Sequence, residues 1–181
     1  MSPIANSLAN VSIAYGAAKG LEYLHGERIY GSMRPCNVLL THDFQPLISY
    51  YGLISVNRYE ALGQSSESSV IRTFEYLAPE YEETGIDLSK ADVYSFGVVL
   101  LELITGRKTK EDTHGQSFLR WIFIRTNKSS QARPLLREKK YSELIDPLVQ
   151  DSVDVYQLYW LVRVADKCLS WDPKKRYSMR K

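Results

Sequence analysis

The segment Arg28 to Leu40, RIYGSMRPCNVLL, gathers residues whose types and spacing bear on one chemistry. Arg34-Pro35 followed by Asn37-Val38-Leu39-Leu40 reads like the closing half of a loop that carries phosphoryl transfer. The opening half departs from that reading. Such a loop needs an acid to take a proton from the attacking hydroxyl, and Tyr30, Gly31 and Ser32 stand there instead. A serine hydroxyl cannot accept a proton near neutral pH as a carboxylate does, and a general base contributes about 10²- to 10⁴-fold.

The elements that would position this loop follow from hydrophobic spacing. Ala14, Ala17, Ala18, Leu21 and Leu24 predict an amphipathic helix over residues 7–25. After the loop, NVLL and PLIS predict two short strands joined by the turn THDFQ. From Ser55 to Ser69 the chain turns polar, and GQSSESS reads as a surface loop. The run LSKADVYSFGVVLLELITG is apolar on nearly every face and predicts a buried central helix, with Ser89 and Asp92 as a capping pair and Gly106 as its stop. Val155, Leu158, Tyr159, Val162, Ala165 and Leu169 predict a further amphipathic helix closed by Asp172-Pro173.

At 181 residues and 44% hydrophobic, the chain can bury one sizeable core. Its formal charge of +2 is spread through mixed stretches such as RKTKED, so neither nucleic acid nor membrane insertion is expected. Cys36 and Cys168 lie far apart without metal-ligand spacing and are expected to be packing residues in a reducing, cytoplasmic setting. The longest apolar run falls well short of the roughly 20 residues a membrane span requires.

Five motifs occur in one order: RPCNVLL, YYGL, RTFEYLAPEY, KADVYSFGVVLLELITGRK and WDPKKRYSM. Together they resemble the C-terminal lobe of a eukaryotic protein kinase, specifically the receptor-like and receptor-like cytoplasmic serine/threonine kinases of plants. The resemblance runs across residues 1–181. It implies a mainly α fold with minor β, a kinase-like C-terminal lobe with the N-terminal lobe absent, and an activation-segment equivalent at residues 53–80. The family's catalytic loop reads His-Arg-Asp, four residues, then Asn, and a later Asp-Phe-Gly supplies the main magnesium ligand. Carried over by position, Tyr30, Gly31 and Ser32 replace His-Arg-Asp, and Arg34 and Asn37 are vestiges of the loop's other functional positions. Leu39 is a vestige of the cofactor surface. Tyr50 replaces the metal-binding aspartate, and a phenol with a pKa near 10 is a poor magnesium ligand.

The resemblance also implies structural roles. Asp92 reads either as a helix-start cap or, as in the family, as the acceptor that fixes the loop's backbone amides. Glu80 and Arg176 would form the buried ion pair that anchors the end of the activation segment. The serines of GQSSESS and Thr73 match a region phosphorylated in active members, but the arginine that would grip that phosphate is replaced by Gly31. Arg72 and Glu75 stand where related kinases carry glycines. The atypical stretch 122–131, IFIRTNKSSQ, reads as an exposed insertion or as translated intron.

A catalytically inactive kinase-like lobe is expected from these replacements. It would act by binding, with an active receptor-like kinase or another signalling protein as partner, and it would need no cofactor. Loss of a covering lobe would expose Leu39 and the strand around Ile48. Residual serine/threonine phosphotransfer with ATP and magnesium is one alternative. A truncated or mispredicted gene product without function is another.

Overall fold

Small and branched-chain residues at helical spacing form the first helix, α1, Ser7–Glu27, two residues longer than the spacing predicts. The computed structural model describes residues 7–27, 30, 31, 33–49, 76–80, 88–106 and 154–179. Ala14, Ala17 and Leu21 are buried, and Ala18 and Leu24 pack beside them. The loop after α1 passes through a 3-10 turn, Pro35–Asn37, into the strand β1, Val38–Leu40. The strand β2, Pro46–Ile48, returns antiparallel, pairing Val38 with Ile48, Leu39 with Leu47 and Leu40 with Pro46.

Side chains alternate across a strand, so this register decides which face of the hairpin meets α1. Pro46 and Ile48 point inward. A Cβ on Gly20 would lie 2.9 Å from Ile48 Cδ1, and one on Gly16 would overlap the Pro46 ring. The outward pair is Leu39 and Leu47, each about half exposed. Leu39 is therefore exposed as expected, whereas Ile48 packs against the core and its strand partner Leu47 takes the outward place.

The central helix, α2, Leu88–Thr105, is buried at every position from Ala91 to Leu101. Gly106 ends it with φ 66, and its amide donates to the Glu102 carbonyl at 2.9 Å, as a left-handed C-terminal cap does. The third helix, α3, Val155–Cys168, starts at Asp154, whose Oδ1 accepts from the Tyr156 amide at 2.7 Å. It buries Leu158, Val162, Ala165 and Cys168.

Two expectations for α3 need correction. Val155 has the right spacing for the buried stripe but lies in the exposed first turn, so its face alone does not bury it. The helix also stops at Cys168, before Asp172-Pro173. There the Leu169 amide closes the last turn on the Ala165 carbonyl, and Asp172 instead caps a separate 3-10 turn, Pro173–Lys175. Of the two cysteines, Cys36 is exposed and only Cys168 is a packing residue. No helix among the described residues is long and apolar enough to cross a membrane.

The close approach of α2 and α3 rests on Gly97, where a Cβ would come 2.8 Å from Cys168 Cβ and 2.9 Å from Leu169 Cγ. Gly97→Ala should therefore overpack this contact and cost about 1–3 kcal/mol, read as a lower denaturation midpoint. Burial pushes the neighbouring Cys168 thiol from 9.0 up to about 12, against the opposing pull of Arg176 and Lys90. The unfolded thiol ionises from about pH 9 while the folded one stays neutral, so the folded state holds the extra proton. The stability from this group is complete below about pH 9 and is lost as pH rises towards 12, by about 4 kcal/mol in all. Stability measured against pH should fall less steeply over that range in Cys168→Ala than in the unaltered chain.

Candidate functional site

The site is organised by one carboxylate. Asp92 lies in the second turn of α2 and is almost wholly buried. Its Oδ1 accepts from the Gly31 amide at 2.7 Å, and its Oδ2 accepts from the Tyr30 amide at 2.9 Å. His25 Nε2, from the last turn of α1, lies 3.0 Å from the same Oδ2. A buried carboxylate is costly unless hydrogen-bonded, and here both oxygens are engaged by the loop. Of the two readings of Asp92, the geometry is that of the loop acceptor.

The loop itself is held by buried side chains. Tyr30 and Met33 enter the core. The Tyr30 hydroxyl donates to the Ser49 carbonyl at 2.7 Å. Burial pushes the Tyr30 phenol above its ordinary pKa, against the pull of the Asn37 side chain, the Ser49 hydrogen bond and the nearby Arg34. Asn37 is buried, with the Cys36 thiol 3.7 Å from its Oδ1. Gly31 adopts φ 68 with open space around its Cβ position, a backbone conformation that glycine takes without the strain a side chain would add. Arg34 Nε is buried with no hydrogen-bond partner among the described residues. Ser32 and Tyr50 lie outside the described residues, as do Arg72, Thr73, Glu75, the serine-rich loop and residues 122–131.

A second anchor lies on the far side of α2. Arg176 Nη1 and Nη2 meet Glu80 Oε1 and Oε2 at 2.5 and 2.8 Å, with the arginine almost wholly buried. The same guanidinium donates to the carbonyls of Ser170 at 2.7 Å and Lys90 at 3.0 Å, and its carbon lies 5.0 Å from the Tyr94 ring centroid. Lys90 Nζ returns two bonds to the carbonyls of Arg176 and Tyr177, both at 3.0 Å. The segment before Glu80 is tied down as well. Ser95 Oγ donates to the Tyr76 carbonyl at 2.6 Å, and the Tyr76 hydroxyl donates to Glu102 Oε1 at 2.9 Å.

Sequence reasoning missed His25, Tyr76, Lys90, Ser95 and Glu102 in these roles. The available signal was polarity: Ser95 and Glu102 interrupt an otherwise apolar helix, and buried polar groups require partners.

The family's chemistry uses magnesium held by an aspartate and an asparagine. The described residues do not fit that ion. Asn37 is buried, the loop from Met33 to Asn37 carries no carboxylate, and Asp92 has both oxygens committed to backbone amides. Among the described residues no three His, Cys, Asp or Glu side chains converge as a metal site.

Replacing Asp92 by alanine should strand the buried amide of Tyr30, at a cost of about 1–3 kcal/mol, and also release the part-buried amide of Gly31. The expected outcome is a lower unfolding midpoint together with faster hydrogen exchange at those two amides.

Residues 4–181 match the family described as the protein kinase domain. The probable serine/threonine-protein kinase PBL24 of Arabidopsis thaliana is 40% identical over 173 residues, which is 91% of this chain and 42% of that protein. The putative receptor-like protein kinase At1g72540 of the same plant is 37% identical over 179 residues, 95% of this chain and 37% of that protein. Among solved structures, the pseudokinase domain of BIR2, described as an immune regulator of the RLK/Pelle family, superposes with a TM-score of 0.71 at 27% identity, covering 98% of this chain and 50% of that one. The chain thus spans less than half the length of the curated relatives it matches. With its kinase fold, mostly helical with a two-stranded hairpin among the described residues, and its kinship to plant receptor-like cytoplasmic kinases, the chain belongs to the protein kinase domain family.

Proposed function

We propose that this chain is a kinase-domain lobe that does not transfer phosphate and acts as a binding or scaffold module in receptor-kinase signalling. The observation that carries the reading is a division within one loop. Its backbone is held by Asp92 through the amides of Tyr30 and Gly31, while Ser32 stands at the loop position that would carry the base, and beyond β2 Tyr50 stands at the position of the metal-binding acid. Phosphoryl transfer depends on positioning and on charge stabilisation by metal and carboxylate, and positioning alone leaves an attacking hydroxyl without a base.

Asn37, the remaining family ligand, is buried with no carboxylate beside it in the loop, which supports the same reading. The likeness to the BIR2 pseudokinase domain supports it further. An active receptor-like kinase is the partner this reading favours. The exposed Leu39 and Leu47 pair offers apolar surface for such a contact. No nucleotide or metal is required for binding of this kind.

A second reading, residual ATP-dependent serine/threonine phosphorylation, is favoured by the names of the Arabidopsis relatives, which are probable serine/threonine-protein kinases. Phosphate incorporation from labelled ATP with magnesium separates the two. The binding-module reading expects incorporation no higher than in an Asn37→Ala variant, and no thermal stabilisation by nucleotide. Turnover that disappears on substituting Ser32 or Tyr50 would establish the enzyme reading instead.

A further inference from the structure

The solvent face of α3 carries residues that a solvated helix face does not ordinarily use. Tyr156 and Trp160 are 80% and 63% exposed, and they lie opposite the buried stripe of Leu158, Val162 and Ala165. Arg163 and Lys167 continue the same line, also exposed. The four positions follow i, i+4, i+7 and i+11 spacing, so they fall within a strip about 60° wide and about 16 Å long. Two aromatic rings thus occupy its N-terminal half and two cations its C-terminal half. Trp160 is also braced: its ring meets Tyr159 edge-on, with centroids 5.4 Å apart. A held tryptophan costs less side-chain entropy when a partner covers it, and Trp, Tyr and Arg are the residue types that dominate binding energy at interfaces.

From this arrangement we infer that the outer face of α3 is a docking strip for an amphipathic, acidic helix of a partner protein, bound antiparallel. Charge complementarity sets the occupant. Carboxylates in the partner's first turns would face Arg163 and Lys167, and apolar residues a turn or two later would cover Trp160 and Tyr156. The antiparallel sense also places the partner's positive helix end against the negative C-terminal end of α3. Acidic residues near the partner's own N-terminus are favourable there for the same reason. The strip deepens the binding-module reading and rests on it for its biological purpose. Its residues are separate from the loop on which phosphotransfer depends, so the two can fail independently.

The test is selection of a displayed library of random helical peptides, roughly 15 residues long and so long enough to cover the strip, on the full chain without nucleotide. The inference expects enrichment of peptides with acidic residues in their N-terminal half and apolar residues at i, i+4 spacing thereafter. The best peptide should bind at least tenfold more weakly to Trp160→Ala and to Arg163→Glu/Lys167→Glu, with unfolding midpoints unchanged because all three positions are exposed. A peptide with its acids changed to lysine should regain binding to the charge-reversed variant. Failure of any acidic pattern to enrich overturns the inference, as does binding indifferent to these substitutions. Two other outcomes also overturn it: Trp160-dependent binding to vesicles of phosphatidylserine and phosphatidylcholine in place of peptide, or self-association abolished by Trp160→Ala. Phosphotransfer measured alongside reports on the inactive-lobe reading alone.

Discussion

A buried carboxylate with two backbone amides in its grip is the constraint from which the arrangement around the loop follows. Asp92 stands on a helix that is itself enclosed, so its position is fixed by packing before the loop arrives. The amides of Tyr30 and Gly31 then have one geometry in which both are satisfied, and His25 closes the shell from α1. Because these bonds go to the main chain, they form without any reactive side chain, while the buried Tyr30 and Met33 add their own hold. This is why a loop can keep its course while its reactive groups change. Gly31 adds to the point: at φ 68 a glycine relieves the backbone at the position where the family places an arginine.

The second anchor is electrostatic in a different way. The Glu80–Arg176 pair is buried, and such pairs are not strongly stabilising against an apolar replacement, yet leaving either charge alone is severe. Arg176 offsets its burial by spending further donors on the carbonyls of Ser170 and Lys90 and by lying over Tyr94. The pair joins the segment at residues 76–80 to the turn that follows α3, beside Lys90 and Tyr94 of α2.

Much of this was legible in the sequence wherever a periodic pattern had one physical solution. The all-round apolarity of the central run left burial as its only outcome, and the short apolar pieces around THDFQ formed the hairpin. The hairpin's facing was less legible, because alternation fixes which residues share a side and not which side meets α1. Only the small Gly16 and Gly20 seats on α1 decide that Pro46 and Ile48 go inward. Val155 failed for a related reason, since spacing gives the face of a helix and not how far along its axis a neighbour extends. His25 and Lys90 were not legible at all. Each looks like an ordinary surface residue until the fold brings a carboxylate or a pair of carbonyls to it.

The Glu80–Arg176 pair also has a consequence in time. The two residues are 96 positions apart, so during synthesis Glu80 leaves the ribosome well before the guanidinium that neutralises it exists. At about 5–20 residues per second that interval is roughly 5 to 20 s. Over that interval, sealing the segment around Glu80 into the interior would strand a charge, so this corner of the core closes only after Arg176 has been made.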